Sequence, residues 1–149
     1  MPQFHDDLPP GARTFEARAQ VLWGDCDSAG IIYFVNYWRY AEQAEMEMFH
    51  ALGFPYKTVF DDLDFYLPRV RAEADFHAPS LMGDWLRVRT HIEKVCASSV
   101  RWKCVLFNET TGVANAVLTL TAACINRETK KSMPLPPRFR AALVQASAS

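Results

Sequence analysis

One stretch of this chain repeats at helical spacing, while most of the rest alternates. From about Asn36 to Leu52, the residues Tyr37, Tyr40, Ala41, Ala44, Met48, Ala51 and Leu52 recur every three or four positions. That spacing predicts one apolar helix face; Arg39, Glu42, Gln43 and Glu47 fall largely elsewhere. Asn36 is the expected N-cap, its side chain accepting from an otherwise unpaired N–H. Gly53 suits a left-handed C-terminal cap, with Pro55 beyond it and His50 in the last turn. The small alanines call for close packing of this helix against a sheet.

Strand patterns surround it. Phe15, Ala17, Ala19, Val21 and Trp23 alternate with Glu16, Arg18 and Gln20, predicting a strand that ends at Trp23. A loop is expected around Asp61 to Pro68. Val70, Ala72, Ala74 and Phe76 then alternate with Arg71, Glu73, Asp75 and His77, and Leu86, Val88, Thr90 and Ile92 with Arg87, Arg89, His91 and Glu93. Each reads as a strand with one apolar and one polar face. Val100 to Phe107 is another, and Asn108 to Gly112 a hairpin connection. The long strand that follows, Val113 to Ile125, is apolar or small on both faces, which places it centrally or at a subunit contact. Pro134, Pro136 and Pro137 close the sheet region before a short helix from Arg138 to Gln145. One apolar-faced helix and one apolar-faced antiparallel sheet have one efficient solution, a sheet that curls around the helix.

Composition narrows the function classes. A chain of 149 residues with a formal net charge of −1 has no electrostatic footprint for nucleic acid. No stretch approaches the roughly 20 apolar residues of a membrane span. Residues 1–13 read as a flexible polar tail with neither a basic n-region nor an apolar h-region, and 14–149 as a single domain; the expected location is the cytoplasm. Cys26, Cys96, Cys104 and Cys124 lack Cys-x-x-Cys or nearby-His spacing and read as reduced thiols, three of them buried in strands. Glu47-x-x-His50 has the spacing of a di-iron ligand pair but lacks the second copy such a site needs. No metal and no cofactor is expected.

The chemistry points to the loop before the helix, Gly24-Asp25-Cys26-Asp27-Ser28-Ala29-Gly30. Unpaired N–H groups at a helix start, with the helix dipole behind them, favour negative charge on a ligand oxygen. A carbonyl held there is polarised, and a carboxylate on its other side serves as nucleophile or general base. Asp and Ser between glycines are also common turn formers, so the loop chemistry alone does not establish an enzyme.

The run from Gly24 through Ile31-Ile32-Tyr33-Phe34-Val35-Asn36 to Tyr37 resembles the signature of the hot-dog-fold acyl-CoA thioesterases, in particular the Pseudomonas-type 4-hydroxybenzoyl-CoA thioesterase branch. The likeness continues to Gly53, through Ala74-Asp75-Phe76-His77-Ala78-Pro79, and through Ile125-Asn126-Arg127-Glu128-Thr129. It covers most of Thr14 to Pro137. The resemblance implies an α+β hot-dog fold, an antiparallel sheet around one central helix, assembled as homodimers or homotetramers with substrate grooves at subunit contacts. It implies hydrolysis of an acyl-CoA, with Asp27 as catalytic nucleophile or base and the backbone N–H of Phe34 as donor to the thioester carbonyl. Gly30 would admit the acyl group closely, and Tyr33, Asn36, Tyr37 and Trp38 would shape the site, with Asp25 structural. Phe34, Trp38, Phe65 and Tyr66 would make an aromatic-tolerant acyl pocket. Two departures stand out. Phe34 occupies a position where relatives carry His or Tyr, and Val95-Cys96-Ala97-Ser98 replaces a basic cluster for the CoA phosphates. Lys94, Arg101 and Lys103 remain as candidates for that end.

Two other readings compete. A hot-dog module could bind acyl thioesters without turnover, and a hot-dog dehydratase would need a His with a carboxylate, for which His77 and His91 have no helix-borne partner.

Overall fold

The computed structural model describes residues 11–57 and 64–147. Of the stretch read as a tail, residues 1–10 lie outside the described residues, as do 61–63 of the expected loop. Arg13 donates its N–H to Ala146 O at 2.9 Å.

Five antiparallel strands form the sheet, in the order β1-β4-β5-β6-β3. They are β1 (Thr14–Gln20), β3 (Arg69–Phe76), β4 (Trp85–Val95), β5 (Ser99–Asn108) and β6 (Val113–Ala123). The two-residue strands β2 (Phe65–Tyr66) and β7 (Ile125–Asn126) pair with each other. The long helix α1 (Tyr37–Ala51) packs on the sheet, and α2 (Pro137–Ala146) follows the last strand. This is the expected hot-dog arrangement.

Alternation decides which sheet face meets the helix. On β5, Val100, Trp102, Cys104 and Leu106 are buried, while Arg101, Lys103, Val105 and Phe107 point the other way. The Trp102 ring lies 5.8 Å from that of Phe49 on α1, edge to face. Phe49 also stacks on Tyr56 and Phe139, and Phe139 packs on Phe54 and Phe65. An aromatic cluster therefore fills the C-terminal half of the helix interface. Tyr37, Tyr40, Ala41, Ala44 and Met48 are buried as the spacing predicts, but Ala51 is exposed.

The helix ends as Gly53 requires. Gly53 has φ +90°, its N–H donates to His50 O, and that of Phe54 donates to Phe49 O at 2.8 Å, a paired closure of the last carbonyls. The start differs from expectation. Asn36 is helical in backbone and makes no side-chain cap; its amide donates to Asp25 O at 2.9 Å, because the acidic loop lies close enough to compete.

Four expectations about the strands are corrected. β1 stops at Gln20, three residues before Trp23, because its partner β4 begins at Trp85, opposite Gln20. The last long strand stops at Ala123, since Cys124 turns its N–H to Ser98 O, and Phe65–Tyr66 forms β2 inside the expected loop. The apolar face of β3 is not buried: Val70 is 62% and Phe76 48% exposed, since β3 is an edge strand that, among the described residues, is bonded only to β6. Of the four thiols, all free, Cys104 and Cys124 are buried, whereas Cys96 is half-buried just past β4.

Glu45, a carboxylate on α1, is buried and ion-paired to Arg69 at the start of β3. Burial pushes the Glu45 carboxyl pKa up while Arg69 pulls it down. Breaking such a pair costs far more than an exposed one contributes.

Phe49→Ala is expected to cost about 3–5 kcal/mol. Urea unfolding reads this as a lower midpoint at constant slope; a loss below about 1 kcal/mol would mean the aromatic cluster is not the main packing of the helix.

Candidate active site

The loop from Leu22 to Tyr33 is folded onto the amino end of α1 by one side chain. Asp25, 6% exposed, accepts from the Leu22 N–H at 2.9 Å and from the Tyr40 hydroxyl at 2.6 Å, both on Oδ2. Its Oδ1 takes the Arg39 guanidinium at 2.6 Å. Its backbone carbonyl accepts from Tyr33 N–H at 2.9 Å and from Asn36. Burial works against the charged carboxyl, but the bonds from Tyr40, Leu22 and Arg39 outweigh it and hold the pKa below its ordinary 3.8. The structural role expected of Asp25 is what the structure shows, with two partners on the helix.

Asp27 faces outward. Its Oδ1 accepts the Ala29 N–H at 2.8 Å, the local turn bond an Asp makes, and the residue is exposed in the single chain. Its backbone N–H donates to Ile31 O at 2.9 Å, and its carbonyl accepts from Gly30. Cys26 bridges to Ile32. Asp27 thus belongs to a tight reversal whose two arms both end at the helix start. Gly30 sits at φ +79°, and a Cβ there would meet nothing within 4 Å, so backbone conformation is what demands glycine. The Cys26 thiol is pushed up by burial and by Asp25, Asp27 and Asp84, which disfavours the thiolate a nucleophile would need.

Phe34 opens a 3-10 turn, Phe34–Asn36, that runs into α1. The first N–H groups of a helix find no carbonyl within it. The Phe34 ring is 58% exposed and meets Tyr33 edge to face at 5.1 Å. Beside it lies an open, largely apolar cleft of about 390 Å³ lined by Ile31, Ile32, Phe34, Tyr37, Phe76 and the His77–Pro79 segment. Tyr37 and Phe76 stand 5.0 Å apart, ring to ring. Burial raises the Tyr37 pKa, partly offset by the Asn115 amide.

The expected residues are thus divided. Asp27, Gly30, Tyr33, Phe34, Asn36 and Tyr37 gather around the loop and helix start. Trp38 is half-buried against the core. Phe65 is buried against Phe139, while Tyr66 faces Arg127 and Lys130. Phe65 lies with the C-terminal half of the helix, so Phe34, Trp38, Phe65 and Tyr66 do not come together within the single chain. Phe76, Ile31 and Ile32 line the cleft in their stead. In the sequence Phe76 carried one signal for this, an aromatic at the end of an alternating run.

Arg101 and Lys103 are on the sheet face away from α1, in a polar groove of about 250 Å³ shared with Arg71, Glu73, Asp75 and Glu93. Arg101 Nε lies 3.2 Å from Glu93 Oε2. Lys94 is the cross-strand neighbour of Arg101 and shares its face. The structure does not bring these three to the Asp27 loop of the same chain. His91 is buried on β4 opposite Lys103. Among the described residues, no helix is long and apolar enough to cross a membrane, and no cluster of His, Cys, Asp or Glu is arranged for a metal ion.

Asp25→Asn tests the clamp. The group's folded pKa is depressed, so its stabilisation is fully present above the unfolded value, about 3.9, and is lost as pH falls through the lower folded value. The variant should be about 2–3 kcal/mol less stable at pH 7, with the gap to the parent closing below pH ~4. Denaturant titrations across pH 2–7 read this; a gap independent of pH would contradict it.

Residues 21–143 match the family model of the thioesterase-like superfamily. A 1,4-dihydroxy-2-naphthoyl-CoA hydrolase from a Synechocystis strain is 31% identical over 134 residues, covering 87% of this chain and 94% of that one. The crystal structure of a 1,4-dihydroxy-2-naphthoyl-CoA thioesterase from Synechocystis superposes with a TM-score of 0.81 at 27% identity, covering 88% of this chain and 96% of that one. A gentisyl-coenzyme A thioesterase structure gives 0.76 at 26%, with 86% and 98% covered. The chain belongs to the thioesterase-like superfamily.

Proposed function

We propose that this member of the thioesterase-like superfamily hydrolyses an acyl-CoA thioester, with a hydroxylated aromatic acyl group, to the free acid and CoA. The observation that carries the reading is the Asp25 clamp, which folds the Asp27 loop onto the amino end of α1 beside an apolar cleft. The acyl ring occupies that cleft. Relatives named for 1,4-dihydroxy-2-naphthoyl-CoA and gentisyl-CoA favour a ring bearing hydroxyls, and the 4-hydroxybenzoyl ring suggested by the loop signature is a smaller member of the class.

The thioester carbonyl oxygen accepts from the Phe34 N–H, and negative charge developing there is stabilised by the helix start. On the opposite side, Asp27 either attacks the carbonyl carbon, giving a mixed anhydride that water cleaves, or takes a proton from the attacking water. In both, the C–S bond breaks, CoA leaves as thiolate and takes up a proton, and water supplies the second carboxylate oxygen. The thioester is already activated, so no cofactor is required.

A homodimer through the edge strand β3 suits this site, with Val70 and Phe76 exposed on a strand that has no partner on one side among the described residues, and pairs of dimers would make a tetramer. Lys94, Arg101 and Lys103 serve the CoA phosphates across such a subunit contact, since they stand on the face away from the helix. The setting is the cytoplasm, in keeping with the four free thiols.

A panel of aryl- and alkyl-CoA esters assayed for free thiol should show turnover, greatest with hydroxylated aryl groups. Release from none of them would favour the binding-module alternative. Asp27→Asn should lower kcat by roughly 10²–10⁴ with little change in the Kd of a hydrolysis-resistant thioether analogue. Retention of more than about a tenth of the parent kcat would exclude Asp27 as the base or nucleophile.

A further inference from the structure

The cleft beside Phe34 has walls of carbon, with two polar side chains. One, the Tyr37 hydroxyl, already has the Asn115 amide beside it and is buried. The other is His77, exposed and lining the cleft; its imidazole makes no hydrogen bond among the described residues. Simple alternation would put His77 on the opposite side of the sheet from Phe76, yet both line the same space. The backbone explains this. β3 ends at Phe76, and the N–H groups of His77 and Ala78 converge on one carbonyl, Asn115 O, at 2.7 and 3.1 Å. Two successive N–H groups on one acceptor break the pleat and turn the chain across the cleft mouth.

That turn is held from beneath. Asn115, fully buried, donates its amide to Ala78 O at 3.1 Å and also to Ser80 Oγ. Ser80 Oγ accepts a second bond from Asn108 at 2.7 Å, and Asn108 reaches Asp84 Oδ2 at 2.8 Å. The carbonyl of Ser80 accepts from Ile32 N–H at 3.1 Å, joining this wall to the cleft floor. A buried polar network of this kind fixes a segment where an apolar core would leave it adjustable.

We propose that His77 is a specificity-determining residue, its imidazole hydrogen-bonding a hydroxyl on the aromatic ring of the acyl group. The inference rests on the acyl-CoA reading above and adds which atom of the protein distinguishes a hydroxylated ring from a bare one. An imidazole offers a donor and an acceptor, so it takes a phenolic O–H as donor or gives its own N–H to the phenol oxygen. An apolar cleft supplies little discrimination against a ring lacking the hydroxyl, whereas a polar group left unpaired beside it supplies more. The imidazole is open to solvent in the single chain, so the discrimination is that of one partly hydrated bond.

The test uses two substrate pairs, 2,5-dihydroxybenzoyl-CoA against benzoyl-CoA, and 1,4-dihydroxy-2-naphthoyl-CoA against 2-naphthoyl-CoA. The parent should favour the hydroxylated member by about 10-fold or more in kcat/KM. His77→Ala should lose most of that preference, through KM for the hydroxylated esters, with the bare esters changed by less than about 2-fold. His77→Gln, which keeps a donor and an acceptor, should restore part of it. Equal loss on both members would make His77 a structural element of the wall; no parental preference, or one unchanged in His77→Ala, would also overturn the proposal. The same ratios are read from Kd values of hydrolysis-resistant thioether analogues. A chain that releases no thiol but binds with a His77-dependent preference would therefore sink the hydrolase reading and leave the recognition role standing.

Discussion

A single carboxylate decides how the loop and the central helix stand to each other. Asp25 is taken out of water and repaid by three donors, two from the first turn of α1 and one from the backbone at Leu22. A buried carboxylate is tolerated only with such a set of partners. Because two of those partners are on the helix, solvating the carboxylate and docking the loop are the same event. The backbone carbonyl of Asp25 adds two more ties, to Tyr33 and Asn36. The burial of Tyr40, whose hydroxyl pKa is pushed up by burial and by Asp25, then links the clamp to the core.

The neighbouring acids illustrate how environment separates two like residues. Asp25 and Asp27 are two positions apart on opposite sides of Cys26. One is enclosed, held ionised by its partners and given over to structure. The other is exposed, with one local side-chain bond, accepted from the Ala29 N–H. Under the proposed chemistry only the second is asked to react. The start of the helix and the loop that carries the outward carboxylate are both tied to the first.

Much of this was legible in the residues themselves. The helix announced itself by period, and its end by Gly53, because both are local properties. The strands of the inner sheet followed from alternation. What escaped was non-local. Asn36 looked like a cap, but its amide found Asp25 O, a partner that only the folded loop supplies. Val70 and Phe76 alternate like core residues, yet β3 is an edge strand, and position in the sheet order is invisible to a two-residue period. Phe65 and Tyr66 were grouped with Phe34 by chemical type, although the length of the helix separates them. The cleft role of His77 was hidden for a related reason: alternation assigns it to the outer face, and the break at Asn115 reverses that.

The proposed chemistry requires the thioester carbonyl to lie between Asp27 and the helix-start N–H groups. The most direct measurement is a crystal structure of the Asp27→Asn variant with a bound hydroxylated aryl-CoA ester. The carbonyl oxygen is expected about 3 Å from the Phe34 nitrogen, with the residue 27 side chain on the other side of the carbonyl carbon and the ring in the cleft by Tyr37 and Phe76. A carbonyl bound away from the amino end of α1, with Phe34 N–H still facing water, would contradict it.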